Sequence, residues 1–141
     1  MTRWLEPYLT VPFRDRGRDG AGWDCWGAVT MVYRERAKID LEPFADISPS
    51  DGERIERAIT AEAENWIEAE FGKEQELDVV VMRDVYLCGK EALSADMHVG
   101  VIVAPGRMFH VERKIGGSVV HLSHPSVKSR LQRLYRHKAL A

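Results

Sequence analysis

The feature that most constrains the fold is a change in hydrophobic period near Leu77. Before this point apolar residues recur at intervals of three and four, as on a helix, and after it they alternate or form short runs typical of strands. Helices followed by hairpin-connected strands predict an α+β domain, with N-terminal helices packed on a C-terminal antiparallel sheet of about five strands. At 141 residues without a linker-like tract, we expect one domain over residues 1–141.

Two helices are predicted in the N-terminal half. The first begins at Cys25, with Asp24 as its N-cap, and runs to about residue 37. The second covers about residues 51–71, because a capping-box spacing precedes an apolar stripe that includes Trp66 and Ile67. The 24 residues before the first helix are rich in Gly, Arg, Asp and Pro and predict an irregular arm.

Five strands are predicted, with Gly or Pro near several of their junctions. They cover residues 77–82, 97–103, 107–113, 118–122 and 131–136. The stretch between the first two, residues 83–96, predicts a loop or an irregular hairpin.

Composition excludes several classes of partner. The chain has 20 basic and 22 acidic residues and a formal net charge of -2, which gives no electrostatic reason to expect nucleic acid or an anionic membrane. No apolar run approaches the roughly 20 residues of a membrane-spanning helix. The N-terminus lacks the apolar stretch of a secretory signal, so we expect synthesis in the cytoplasm without a signal peptide. Two cysteines this far apart, Cys25 and Cys88, predict free thiols rather than a disulfide framework.

Cys25 is the first candidate functional residue. A cysteine attacks a carbonyl as the thiolate, and the N-terminus of a helix lowers the pKa of a thiol because unpaired N–H groups and the helix dipole favour negative charge. The same N–H groups could donate to an oxyanion. Glycines on both sides, Gly22 and Gly27, would permit close approach of a substrate. The alternative is a small buried apolar residue.

His98 and His110 are the second candidate feature, on a predicted hairpin. A two-residue turn at Pro105-Gly106 would put the two histidines on opposite faces, whereas a three-residue loop over 104–106 makes them diagonal neighbours on one face. We predict the three-residue loop, with Gly100 leaving space between the rings. One imidazole could then accept the cysteine proton while the other orients it.

These motifs resemble those of the NlpC family of cell-wall cysteine peptidases, which share a compact papain-like fold. The family's aspartate–cysteine–small–glycine motif is matched by Asp24-Cys25-Trp26-Gly27, its histidine–valine–glycine strand by His98-Val99-Gly100, and its third polar residue by His110. Trp26 and the approach over residues 11–19 are most similar to members from phage tails and gene-transfer particles. Many members carry a tyrosine, thought to assist the oxyanion, where this chain has Phe13.

The resemblance implies a cysteine endopeptidase that cleaves peptidoglycan stem peptides between D-glutamate and the diamino acid, with no cofactor. In that role Cys25 attacks, His98 is the base and His110 orients His98. The resemblance also implies a cell-wall hydrolase built into a phage tail or tail-like particle, with other tail proteins as partners. Two alternatives stay open: a structural tail component with little or no hydrolysis, and an amidase or acyltransferase on the same triad.

The remaining thiol and imidazoles are weaker candidates. Cys88 has no partner motif, and its role stays open. His121 and His124 form a weak pair that lacks the tight Cys/His spacing of zinc sites, so no metal site is predicted. Asp96, two residues before His98, would lie on the same face of an extended strand and is a candidate support for that histidine, but a solvated strand end is the default expectation.

Overall fold

The computed structural model describes residues 3–14, 17–19, 22–42, 62–88, 91–112 and 116–141. Its helices are α1 (Glu6–Leu9), α2 (Cys25–Val32) and α3 (Pro125–Lys128). Its strands are β1 (Arg18–Asp19), β2 (Gly22–Trp23), β3 (Trp66–Ala69), β4 (Val79–Cys88), β5 (Glu91–Ala104), β6 (Arg107–Glu112), β7 (Gly116–His121) and β8 (Leu131–His137). Over these ranges no helix has the length and apolarity needed to cross a membrane.

Six of the strands form one antiparallel sheet in the order β3-β8-β4-β5-β6-β7. The α+β prediction is therefore confirmed, and the sheet has six strands where about five were expected. The N-terminal arm is also more regular than predicted, because it contains α1 and a two-stranded ribbon of β1 and β2.

The additional strand, β3, lies where the second helix was predicted to continue. Trp66 pairs with His137 and Ala69 with Leu134, so this segment is held by the backbone of β8. Its side chains agree with a strand at the sheet edge, since Trp66 packs edge-on against Tyr33 while the next residue, Ile67, is 45% exposed. A helix through Trp66 and Ile67 is therefore wrong, and the start of that predicted helix falls on residues 51–61, outside the described residues.

The first predicted helix is confirmed from Cys25 onward. The Asp24 carboxylate accepts a hydrogen bond from the Gly27 N–H at 2.8 Å, which is the expected N-cap. The helix is α-helical to Val32 and ends in a wider π turn over Tyr33–Ala37. Its predicted end near residue 37 is therefore also confirmed.

The later strands follow the predicted pattern, and the hairpin between the first two is longer than expected. β4 and β5 stay paired from Val79↔Val101 to Cys88↔Glu91, with one register shift between Met82 and Arg83. The segment predicted as a loop or an irregular hairpin is thus a hairpin with a β-bulge.

Two clusters of buried apolar side chains lie on opposite faces of the sheet, because neighbouring residues of a strand point to opposite sides. The first cluster packs α2 against one face and includes Val29, Val32, Val81, Val99, Val101 and Phe109. The second cluster covers the other face and comprises Val80, Met82, Ile102, Met108, Leu122, Val127 and Leu134.

A corner at Leu77 and Asp78 connects the sheet to α2. Leu77 has a φ of 76°, in the left-handed region that a branched side chain rarely adopts. The Tyr33 hydroxyl donates to the Leu77 carbonyl oxygen. The Asp78 carboxylate, 1% exposed, accepts one hydrogen bond from Arg136 Nε and one from Nη2, each at 2.9 Å, and a third from the Gln75 N–H. Strand β8 and the loop before β4 therefore meet at one buried carboxylate, beside the carbonyl that binds Tyr33.

Replacing Asp78 with Ala should destabilise the fold by about 3 kcal/mol, because the change leaves the Arg136 guanidinium without its carboxylate partner and the Gln75 N–H without its acceptor. The matched control is Asp40→Ala, which removes the exposed 3.1 Å pair between Asp40 and Arg34 and should cost less than about 0.5 kcal/mol. Urea unfolding followed by tryptophan fluorescence measures both values. Equal losses in the two variants would contradict a structural role for this corner.

Candidate active site

His98 and His110 form a buried hydrogen-bonded pair. His98 Nε2 lies 2.8 Å from His110 Nδ1, and the two ring planes meet edge to face. The prediction that the two histidines lie on one face within side-chain reach is confirmed. Since this bond uses Nε2 of His98, the nitrogen that is left to act as a base on another group is Nδ1.

The turn that brings the histidines together differs from the predicted one. Ala104 pairs with Arg107, so the hairpin has a two-residue turn at Pro105-Gly106 and the three-residue loop is wrong. The register shifts between Ile102 and Ala104, which makes Val103 a bulged residue. Because of this extra residue, His98 and His110 lie on the same face of the sheet, whereas a two-residue turn alone would place them on opposite faces.

Gly100 has a different role from the predicted one. An added Cβ at this position would lie 2.4 Å from Met108 Sδ and 2.7 Å from Met108 Cγ. The space beside Gly100 is therefore filled by Met108 rather than left open between the two imidazole rings.

Burial determines the protonation of the histidine pair. Burial lowers the pKa of His98 well below its ordinary value of 6.5, and the neighbouring His110 and Arg130 lower it further. Burial also lowers the pKa of His110, an effect that Glu112 opposes and Arg130 reinforces. Both rings are therefore neutral at neutral pH, as a general base must be.

Two charged residues beside the pair were missed in the sequence. Glu112 Oε1 lies 3.7 Å from His110 Nδ1, and Arg130 Nη1 donates to the same oxygen at 3.0 Å. The signal for Glu112 was its position two residues after His110, which puts both side chains on one face of β6. Arg130 is close only because of tertiary structure, and no local pattern indicates it.

Cys25 begins α2 and packs in the first core cluster, where it is 7% exposed. Helix α2 lies against β5 and β6, the two strands that carry the histidines. By strand alternation, however, His98 points to the same face of the sheet as Ile102, and His110 to the same face as Met108. Ile102 and Met108 both belong to the second cluster. The structure thus brings the two histidines together, and the partnership of Cys25 with them stays a prediction.

The first turn of α2 packs tightly on the chain's own backbone. A Cβ added at Gly27 would lie 2.1 Å from the Gly17 carbonyl oxygen. Gly27 is therefore needed for contact with the loop at Gly17, and not for approach of a substrate as predicted. The Gly27 N–H is occupied by the Asp24 cap, so it does not contribute to an oxyanion site.

Trp26, the residue after Cys25, lines an apolar pocket on the α2 side of the sheet. Its indole N–H donates to the Glu42 carbonyl oxygen at 2.7 Å. The pocket is lined by Trp26, Glu62, Ala63, Trp66, Val79, Val81, Val99 and Tyr135.

Phe13, in the position of the family's tyrosine, packs against the first core cluster and forms a β-bridge with Trp23.

The other candidate histidines stabilise local turns. His121 Nδ1 accepts a hydrogen bond from the Ser123 N–H, and His124 Nδ1 accepts one from the Ser126 N–H at the start of α3. Both histidines are exposed. The side chains of Cys88 and Asp96 lie outside the described residues.

Comparison with known proteins finds solved structures that are similar to the structure of this chain. Sequence comparison finds no matching family model and no matching curated protein. An NlpC/P60 family protein from Bacillus cereus superimposes with a TM-score of 0.66 at 18% identity, over 95% of this chain and 37% of that one. An NLP/P60 family protein from Staphylococcus aureus, described as similar to lipoprotein, gives 0.62 at 20% identity, over 94% and 38%.

A third structure is matched over most of its own length. The NlpC/p60 domain of the peptidoglycan hydrolase SagA superimposes with a TM-score of 0.56 at 15% identity, over 92% of this chain and 89% of that domain. The chain spans less than two fifths of the length of the first two proteins. These likenesses establish an NlpC/P60-type fold, as the sequence motifs predicted.

The histidine pair should make the fold less stable in mild acid. An unfolded histidine titrates near 6.5, whereas the pKa values of folded His98 and His110 are lower, so below about pH 6.5 the unfolded chain binds more protons. The free energy of unfolding should therefore fall as the pH is lowered from 7.5 to 5.5, by up to about 1.4 kcal/mol per pH unit for each histidine.

Urea unfolding of the His110→Asn variant across this pH range tests the effect, and His121→Gln serves as the exposed control. We expect the slope to become shallower in the first variant and to stay unchanged in the second. Identical slopes in wild type and His110→Asn would show that His110 does not cause the acid sensitivity.

Proposed function

We propose that the chain is a peptidoglycan hydrolase of the cysteine peptidase class that cleaves stem peptides. The observation that carries this proposal is the buried, hydrogen-bonded pair of His98 and His110 on an NlpC/P60-type fold. A thiol at the first position of α2, with an aspartate cap beside it, supports the same chemistry. The description of SagA as a peptidoglycan hydrolase gives the substrate class.

In the proposed reaction Cys25 is the nucleophile and His98 the base. Nδ1 of His98 accepts the thiol proton, and Sγ attacks the carbonyl carbon of the scissile amide. The C–N bond then breaks, the leaving amine takes the proton from His98, and a thioester to Cys25 remains. Water hydrolyses the thioester with His98 again as base, which regenerates the thiol. His110 orients His98 by accepting the Nε2–H at its Nδ1, at the observed 2.8 Å.

This reaction requires one contact, between Cys25 Sγ and His98 Nδ1. Helix α2 packs on β5 and β6, so Cys25 starts the helix next to the two strands involved. His98 directly follows the β-bulge at the Met82/Arg83 register shift, where a strand bends and side chains are redirected. The contact is therefore what the experiments below are designed to test.

The setting of the hydrolase is proposed from the sequence. Trp26 and the residues before the cysteine resemble phage-tail and gene-transfer-particle members of the NlpC family. We infer that the protein is incorporated in such a particle, which carries it to the cell wall. Other tail proteins would then be its partners, and peptidoglycan stem peptides its substrate.

Cys25→Ala and His98→Ala should each abolish cleavage of purified muropeptides, because neither acyl transfer nor proton transfer can then occur. His110→Ala should leave residual activity, since it removes only the orientation of His98. Mass analysis of the products measures the loss and also identifies the broken bond. A newly exposed amine at the diamino acid indicates the endopeptidase, and loss of the whole stem from the glycan indicates an amidase.

Cys88→Ala is the matched control and should retain wild-type activity. Each variant's fold is checked by circular dichroism before assay. Full activity in Cys25→Ala would exclude the cysteine mechanism, while absence of cleavage by the wild-type protein would favour a second candidate function.

The second candidate is a structural component of a tail particle with little or no hydrolysis. The observation that favours it is the burial of Cys25 among the apolar side chains of the first core cluster, where it is 7% exposed. In this case Cys25 is a small apolar core residue. The histidines then form a separate buried polar pair.

Alkylation by iodoacetamide at pH 5.5 separates the two candidates. Transfer of the thiol proton to His98 forms a thiolate–imidazolium pair, which reacts at a pH where an ordinary thiol is protonated, so labelling confined to Cys25 and lost in His98→Ala supports the hydrolase. Peptide mass mapping reports the label at each cysteine. Slow labelling of Cys25 that is unchanged in His98→Ala supports the structural component.

A further inference from the structure

Three side chains of β5 and β6 form a group of potential metal ligands, called here the His–His–Glu cluster. It consists of His98, His110 and Glu112, and one ligand atom from each lies within 4.8 Å of the other two. His110 and Glu112 are two residues apart on β6, so both project from one face, and His98 joins them from the neighbouring strand. This is a rigid arrangement, because backbone pairing fixes all three Cα positions.

Two of the three distances within the cluster are close to those of a tetrahedral zinc site. Zn–N and Zn–O bonds of about 2.1 Å separate neighbouring ligand atoms by about 3.4 Å. The observed separations are 2.8 Å between the two ring nitrogens and 3.7 Å between His110 Nδ1 and Glu112 Oε1. Small side-chain rotations, widening the first distance and shortening the second, would therefore admit a zinc ion.

The surroundings of the cluster also suit a cation. Two neutral imidazoles and one carboxylate are a common zinc ligand set that leaves a fourth position for water. The Glu112 carboxylate is held in place by Arg130, whose Nη1 donates to Oε1 and leaves Oε2 as a second ligand atom. Arg130 is itself a positive charge, so it should weaken metal binding without preventing it.

We propose that the His–His–Glu cluster binds a divalent transition-metal cation, with Zn²⁺ as the best match. A metal bound to His98 and His110 replaces their mutual hydrogen bond and occupies a nitrogen of each ring. With the metal on Nε2, the single proton of the neutral His98 ring lies on Nδ1, so Nδ1 can no longer accept the thiol proton and the bound metal would act as a reversible inhibitor. This consequence rests on the proposed hydrolase function, whereas binding of the metal does not.

The test titrates Co²⁺ into the intact protein and follows the visible absorption typical of a four-coordinate N/O site, with Zn²⁺ as competitor. Glu112→Gln should weaken binding at least about 10-fold through the loss of an anionic ligand. Arg130→Gln should tighten binding several-fold through the loss of a competing charge. A double variant of the exposed histidines, His121→Gln with His124→Gln, is the control and should bind as wild type does.

The outcomes separate this proposal from the proposed function. No four-coordinate spectrum with wild type, or binding lost in the exposed-histidine control but kept in Glu112→Gln, overturns the metal site. Muropeptide cleavage measured with and without Zn²⁺ then tests the inhibition. A protein that binds Co²⁺ but never cleaves muropeptides retains the metal site and contradicts only the hydrolase.

Discussion

The ion pair between Asp78 and Arg136 is the interaction on which the rest of the structure depends. It links the beginning of β4 to β8, and the neighbouring Leu77 carbonyl accepts a hydrogen bond from Tyr33 at the end of α2. The central strands of the sheet and the helix that starts at Cys25 are thereby fixed to one point. The left-handed backbone at Leu77 persists because this network over-determines it.

Local patterns in the sequence were sufficient for most of the fold. The cap at Asp24 and the alternating strands after Leu77 depend on neighbouring residues only, so they could be predicted. Strand β3 could not, because its pairing partner β8 follows more than 60 residues later and Trp66 belongs to a stretch with helical periodicity. The strand conformation there is imposed by tertiary contacts rather than by local preference.

The candidate site was likewise predicted only in part. The 12-residue spacing of His98 and His110 was informative because both lie on one hairpin, and the structure confirms their contact. Glu112 and Arg130 change the electrostatics of that pair, yet Arg130 reaches it from a distant part of the chain. The relation of Cys25 to the histidines depends on how a helix and a sheet pack together, which spacing along a sequence does not specify.

The bulge at Val103 also has a consequence for how such hairpins change in evolution. The two-residue turn and the extra residue together set the faces of His98 and His110, so deleting the bulged residue while the turn stays at two residues would put the two side chains on opposite faces. Removal of the bulge is therefore compatible with the pair only when the turn gains one residue at the same time, which leaves the spacing of the two histidines unchanged. Related hairpins with a three-residue turn should then lack the bulge and still keep the two histidine positions 12 residues apart.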